Sequence, residues 1–134
     1  MPLSLDDANK AIQFAQAKAK ELGVKVSVAV VDEGAHLVAL QRMDGAPPIS
    51  QVIAEGKAVG AAMFQRDGAS LLTTANDRPV FYTAVSGMAR TRMVPGPGSL
   101  VLHRGGGVVG AIGVSGARPE QDLECAEAGV RAIA

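Results

Sequence analysis

Apolar residues near the start of the chain recur every three or four positions, which is the spacing of one face of an amphipathic helix. The repeat comprises Leu5, Ala8, Ile12, Ala15, Ala19 and Leu22. Ser4 is suited to cap this helix, Asp7 stands at the position that completes a capping box, and Gly23 is suited to end it. The pattern therefore predicts a first helix over Leu5–Leu22.

The spacing of apolar positions then changes to the alternation that is typical of strands. Residues 24–31 are rich in β-branched side chains, Asp32-Glu33-Gly34 has the chemistry of a turn, and residues 36–43 are predicted to form the returning strand of a hairpin. Strict alternation places two sets of side chains on opposite faces of that second strand. One face carries His36, Val38, Leu40 and Arg42, and the other carries Leu37, Ala39, Gln41 and Met43.

Helical segments and a second hairpin are predicted for the rest of the chain. The segments are helices over 49–63, 70–75 and 80–85, a Pro/Gly loop over 93–98, strands over 99–104 and 108–114, and a closing helix from Pro119. Gly105-Gly106 favours a tight turn between the two strands. Because strands joined by hairpins run antiparallel, the sequence predicts a single α+β domain over residues 1–134, with one antiparallel sheet flanked by helices.

Composition narrows the class of protein. The 134 residues are 48% hydrophobic but only 3% aromatic and include 16 glycines, so small side chains must fill the core. The 13 basic and 13 acidic residues balance, which argues against a nucleic-acid partner. A single cysteine excludes an intrachain disulfide and is typical of a reducing compartment. Since no secretion signal and no long apolar segment is evident, we expect a cytoplasmic protein that does not engage membranes.

Several motifs have simple structural interpretations. Gly105-x-Gly107-x-x-Gly110 matches a dinucleotide-binding fingerprint, but it opens a strand instead of a helix and is interpreted as a turn. Cys125 has acidic residues close by that disfavour its thiolate, so a nucleophilic role is not expected. His36 and His103 are the two histidines, and no spacing typical of a structural metal site occurs. A haem iron, however, needs only one axial side chain such as histidine.

The segment from Asp32 to Asp44, DEGAHLVALQRMD, carries most of the reactive side chains. In one interpretation the two aspartates are turn residues and Arg42 forms a surface ion pair. In the other, Arg42 holds a carboxylate, and His36 or His103 acts as an acid–base group. Six residues of strand separate His36 from Arg42 by about 20 Å. The two can therefore grip only a large planar ligand, or they belong to different sites, whereas a pairing of Arg42 with His103 is geometrically freer.

Two segments resemble the GlcG/HbpS family, which includes the C-terminal domain of PduO-type proteins. They are VVDEGAHLVALQRMDGA over residues 30–46 and VVGAIGVSGARPEQD over residues 108–122, and the resemblance covers nearly the whole chain. It implies a sheet backed by helices in a profilin- or PAS-like arrangement, and assembly into dimers or larger rings. It also implies a place beside catabolic genes and, as in some relatives, haem binding or a part in haem handling.

Three functional hypotheses follow. In the first, the chain is an oligomeric binding protein that holds haem or a related planar cofactor, with His36 or His103 as the axial side chain and Arg42 as a further contact. In the second, it is a small catabolic enzyme of the tautomerase, hydratase or decarboxylase type. Arg42 would then anchor an organic acid, and His103, His36 or Asp44 would move protons. In the third, it is an assembly protein without a small ligand.

Overall fold

A four-stranded antiparallel sheet lies at the centre of the computed structural model, which describes residues 2–134. Its strands are β1 (Ser27–Asp32), β2 (Leu37–Arg42), β3 (Ser99–Arg104) and β4 (Gly107–Ser115). Their order across the sheet is β2-β1-β4-β3, and every neighbouring pair is antiparallel. The two hairpins thus meet through β1 and β4, and the α+β prediction is confirmed.

Helices cover both faces of the sheet. They are α1 (Leu5–Leu22), α2 (Pro48–Phe64), α3 (Gly68–Asp77), α4 (Pro79–Ser86) and α5 (Pro119–Ala132). Helices α1 and α5 pack against each other and against one face, whereas α2 packs on the other face. Helix α3 lies against α2 and β3, and α4 lies against α3. No helix within residues 2–134 has both the length and the apolarity needed to span a bilayer.

The first helix begins and ends where the sequence predicts. The backbone N–H of Ser4 donates to the carboxylate of Asp7, and the N–H of Asp7 donates to the Ser4 hydroxyl, each at 3.0 Å. Gly23 ends the helix in the left-handed conformation at φ 72°. Asp7 also accepts a hydrogen bond from the guanidinium of Arg104 at 2.7 Å, which ties the start of α1 to the end of β3.

Small side chains let the layers approach closely. Val28, Val30, Ile112 and Val114 face α1 and α5, and Ala29, Val31 and Ala111 face α2. On the α2 side, Gly113 lies directly against the backbone of Ala54 and Ala58, so that a Cβ at this position would overlap α2. The low aromatic content is therefore matched by close contact between backbones.

The prediction of strict alternation along β2 is wrong. Val30 pairs with Ala39 but Val31 pairs with Leu37, so a bulge displaces the register by one residue. Val31 faces α2, and the bulge thus brings its partner Leu37 to the same face as Leu40. The strand is also shorter than predicted, because His36 lies in the turn before it.

Candidate functional site

The sequence-predicted site residues lie at three separate depressions in the surface. We call them the Arg42 groove, of about 600 Å³, the His36 pocket, of about 200 Å³, and the His103 pocket, of about 220 Å³. Asp44 shares the groove with Arg42, whereas each histidine lies at a pocket of its own. The chain therefore divides the predicted residues among distinct sites.

The His36 pocket lies where the turn after β1 meets the C-terminal half of α2. Its lining consists of Gly34, Ala35, His36, Val59, Met63, Ala89 and Arg90. The His36 side chain is 77% exposed, and Met63 is also exposed, so the pocket has an accessible imidazole beside an apolar wall. The loop after α4 contributes Ala89 and Arg90 to the opposite wall.

Asp32 fixes the geometry of His36. One carboxylate oxygen of Asp32, Oδ1, accepts the backbone N–H groups of Gly34 and His36, each at 2.9 Å. The same oxygen lies 3.2 Å from Nδ1 of the His36 imidazole. The first interaction is the turn role predicted for Asp32. The second places a carboxylate beside Nδ1 and leaves Nε2 as the ring nitrogen without a neighbour in this contact, which is the arrangement found around histidine ligands of metals.

Arg90 holds the turn of this pocket against α2. Its guanidinium donates to the backbone carbonyl of Ala35 at 3.2 Å and also pairs with the carboxylate of Glu55, which lies on α2. Its side chain is 45% exposed, so part of the guanidinium lies at the rim beside His36, with its charge balanced by Glu55. The pocket thus combines an exposed imidazole beside a carboxylate, the exposed side chain of Met63 and a guanidinium that is paired with Glu55.

The His103 pocket lies at the opposite edge of the sheet, between β3 and the end of α5. It is lined mainly by apolar side chains, among them Leu102, Val109, Val130 and Ile133. His103 is exposed, pairs with Val108 across the second hairpin and has no hydrogen-bonding side chain within residues 2–134. Its imidazole therefore lacks the carboxylate neighbour that the His36 imidazole has.

The Arg42 groove lies between the end of α1 and the end of β2. It is lined by Gln16, Lys20, Gly23, Val24, Lys25, Arg42, Met43 and Asp44. Arg42 donates to the carbonyl of Ala46 at 3.1 Å. Within the described part of the chain, the three cations of the groove, Lys20, Lys25 and Arg42, form no ion pair. The predicted surface ion pair of Arg42 therefore does not occur.

The structure does not bring Arg42 and His103 together within one chain. Arg42 pairs with Ser27, which pairs with Ser115, whereas His103 pairs with Val108. Ser115 and Val108 are about 24 Å apart along β4. The strands that carry Arg42 and His103 are also the two edges of the sheet. The two side chains therefore cannot share one small acid in a monomer, and of the proposed proton-transfer groups it is Asp44 that accompanies Arg42.

Sequence reasoning missed a buried ion pair between α2 and α5. The Lys57 ammonium donates to the carbonyl of Val114 at 2.9 Å and lies 3.3 Å from Oδ2 of Asp122. The other oxygen of Asp122 accepts the N–H of Ala117 at 3.1 Å. Burial raises the pKa of Asp122, although the charge of Lys57 acts in the opposite direction. The sequence signal for this pair was Lys57 itself, a lysine between Gly56 and Ala58 on the buried face of a helix. The pair lines none of the three depressions.

Cys125 and the remaining acids supply no further site. Burial, followed by the charges of Asp122 and Glu124, raises the pKa of the Cys125 thiol to about 11. The expectation that its thiolate is disfavoured is confirmed, with burial as the larger cause. Among residues 2–134, no three His, Cys, Asp or Glu side chains are grouped closely enough to hold a metal ion.

Known proteins match this chain almost from end to end. Residues 3–131 match the family model described as Haem degrading protein HbpS-like. Protein GlcG of Escherichia coli strain K12 is 34% identical over 114 residues, which are 84% of this chain and 81% of GlcG. Solved structures of related proteins match the whole fold as well.

Two solved structures show how closely the fold is shared. A complex of PduOC with haem has a TM-score of 0.88 at 28% identity and covers 99% of this chain and 96% of PduOC. A double mutant of HbpS from Streptomyces reticuli also has a TM-score of 0.88, at 30% identity, and covers 100% of this chain and 88% of HbpS. The sheet, the helices and their order are thus shared with these proteins.

Proposed function

Because this chain belongs to the HbpS-like family, we propose that it binds haem or a closely related planar tetrapyrrole at the His36 pocket. The observation that carries the proposal is the contact between Asp32 and His36. A carboxylate beside Nδ1 is the neighbour that commonly supports a histidine bound to a metal through Nε2. Bound haem would supply an iron centre that accepts such an axial nitrogen.

The other residues of the pocket fit the same ligand. The exposed side chain of Met63 offers an apolar contact to the macrocycle, and the guanidinium of Arg90, 45% exposed and paired with Glu55, lies where a propionate could share it. The pocket volume of about 200 Å³ is below the range of about 300–1,000 Å³ that encloses small ligands. His36 would therefore hold the macrocycle at the surface, and this chain alone would leave one face of the macrocycle exposed.

The other two depressions fit haem less well. His103 lies beside apolar side chains, but it has no carboxylate partner to orient the ring. The Arg42 groove has three cations but no histidine, cysteine or tyrosine in its lining. The sulfur of its methionine, Met43, already accepts the N–H of Val26 at 3.5 Å. We accordingly assign the axial role to His36 and treat His103 as the comparison residue.

We also propose that the protein is a homo-oligomer. Helices α2, α3 and α4 and the loop after α4 expose large apolar side chains, and we call this set the α2–α4 surface. Its members include Ile49 at 59% exposure, Val52 at 53%, Met63 at 53%, Val80 at 84% and Met88 at 78%. Contiguous patches of exposed apolar groups mark interaction surfaces, and we propose that these side chains form one. Since Met63 also lines the His36 pocket, a second copy seated here would cover the open face of the ligand.

A cytoplasmic location and an association with a catabolic pathway remain part of the proposal. The single cysteine supports a reducing compartment, because disulfides are rare there. Cell fractionation tests the location. A comparison of growth of a deletion strain and its parent on a panel of carbon sources, with and without added haem, tests the association.

Titration with hemin tests the haem proposal. We expect a sharpened Soret band that saturates at one hemin per chain. The variant His36→Ala should lose this spectral change, whereas His103→Ala, which removes an exposed imidazole elsewhere, should retain it. If both variants bind hemin as the parent does, or if His103→Ala alone loses the band, the assignment of the ligand is wrong.

A further inference from the structure

The Arg42 groove has the size of a small-molecule site and an apolar wall. Its volume of about 600 Å³ lies within the range of about 300–1,000 Å³ that small-molecule sites occupy. The side chains of Val24 and Met43, both half-buried, form an apolar wall. Two contacts hold that wall in place, because the N–H of Met43 donates to the carbonyl of Val26 at 3.0 Å and Val26 donates back to the Met43 sulfur.

The charge of the groove is unbalanced. Lys20, Lys25 and Arg42 line it together with a single carboxylate, that of Asp44. In the part of the chain that the structure describes, none of the three cations pairs with an acidic side chain. This local excess of positive charge contrasts with the net charge of zero over the whole chain.

Two of the cations converge on one turn. Arg42 donates one N–H to the carbonyl of Ala46, which positions the guanidinium and leaves its other N–H groups for a ligand. The side chain of Lys25 lies over Gly45, where a Cβ would come within 2.8 Å of the ammonium nitrogen. Gly45 has φ 85° and no side chain, so both cations can approach the same turn. A carboxylate placed there would meet both positive charges.

We propose that the Arg42 groove binds a small organic monocarboxylate, whose apolar body packs on Val24 and Met43 while its carboxylate meets Arg42 and Lys25. Asp44 and the carbonyl end of α1 add negative charge to the rim, which penalises a dianionic phosphate more than a singly charged acid. The site is separate from the His36 pocket and does not depend on haem binding.

Isothermal titration with benzoate tests the proposal, with benzamide and inorganic phosphate as comparison ligands. Benzoate should bind, and benzamide, which has the same ring without the charge, should bind at least about 10-fold more weakly. The variants Arg42→Gln and Lys25→Gln should each weaken benzoate binding, Arg42→Gln by about 10-fold or more. Lys10→Gln, which removes an exposed cation of α1 outside the groove, should bind benzoate as the parent does.

Several outcomes would overturn the inference. They are an absence of benzoate binding, equal affinity for benzoate and benzamide, tighter binding of phosphate, or unchanged benzoate affinity in both Arg42→Gln and Lys25→Gln. Hemin titration of Arg42→Gln separates this site from the haem proposal, since its Soret change should equal that of the parent. Loss of the hemin signal in Arg42→Gln would show one site instead of two. If Arg42→Gln does not fold, Lys25→Gln decides the outcome.

Discussion

The carboxylate of Asp32 lies 3.2 Å from Nδ1 of the His36 imidazole and at the same time closes the turn that presents it. One side chain thus closes the backbone turn and also contacts the ring of the proposed haem ligand. The two tasks can be separated, because the turn needs an acceptor oxygen whereas the imidazole responds to the charge.

The variant Asp32→Asn separates them. The asparagine oxygen can still accept the N–H groups of Gly34 and His36, so the thermal stability should change little. The charge beside the imidazole is lost, and we expect hemin affinity to fall by about 10- to 100-fold. Hemin titration measures the affinity, and a melting curve is the control. Unchanged hemin affinity would mean that the carboxylate does not support the ligand.

The buried pair of Lys57 and Asp122 makes a prediction about stability. Lys57→Met should lower the free energy of unfolding by about 3–5 kcal/mol at pH 7, because it leaves a buried carboxylate without its cation. Burial already raises the pKa of Asp122 in the parent, and loss of Lys57 should raise it further. The loss of stability in Lys57→Met should therefore be greatest above the raised pKa of Asp122. It should shrink as the pH falls and the Asp122 carboxyl is protonated.

Urea unfolding at several pH values measures this penalty. The double variant Lys57→Met/Asp122→Asn is the matched control, since asparagine keeps an acceptor for the N–H of Ala117 but carries no charge. The double variant should be more stable than Lys57→Met at pH 7. If it is less stable, or if the penalty of Lys57→Met is the same at every pH, the carboxylate is not the source of the cost.

The ion pair between Asp7 and Arg104 predicts a dependence on acid. The hydrogen bond from Arg104, together with those from Ser4, holds the pKa of Asp7 well below its ordinary value of 3.8. A lowered pKa stabilises the fold above pH 3.8, and this stabilisation is lost as the pH falls toward the pKa of the folded state. Arg104→Gln should therefore be less stable than the parent at pH 7, and the difference should narrow below pH 3.8.

Denaturant unfolding between pH 7 and pH 2.5 measures the difference. Arg131→Gln, which removes an exposed arginine without an ion pair to any described side chain, is the control and should follow the parent throughout. A gap between Arg104→Gln and the parent that stays constant with pH would contradict the ionic origin of the effect.

The α2–α4 surface predicts the effect of added charge on assembly. The double variant Val80→Glu/Met88→Glu should sediment at a lower mass than the parent, because it places carboxylates in a buried contact between copies. Both positions are exposed in the single chain, so the fold should be retained. Phe14→Glu on α1, at 49% exposure in the parent, is the control. A parent that is monomeric, or a double variant of unchanged mass, would contradict the proposed interface.

Local features of the sequence predicted local structure well. The capping box of Ser4 and Asp7 and the turn role of Asp32 involve residues three or four positions apart, so the chemistry of neighbours decides them. The bulge between Val30 and Val31 was not predictable in this way, because it depends on how β2 is accommodated beside β1. Alternation alone gives no signal for a displaced register.

Long-range relationships were not predictable from spacing. Lys57 and Asp122 belong to different layers of the fold, and only the packing of α2 and α5 around the end of β4 brings them together. The separation of Arg42 from His103 likewise follows from the strand order, which places their strands at the two edges. Hairpin connections establish which strands run antiparallel, but they do not establish which hairpin strands become neighbours.

The strand order has a consequence for synthesis of the protein on the ribosome. The partner of β1 on its inner side is β4, which is translated only after the first hairpin has been followed by three helices and a further strand, β3. Until then the first hairpin exposes an unpaired, strongly apolar edge, and such edges promote association between nascent chains. Chaperone dependence and inclusion-body formation should therefore respond more to the translation rate of the second half of the message than to that of the first.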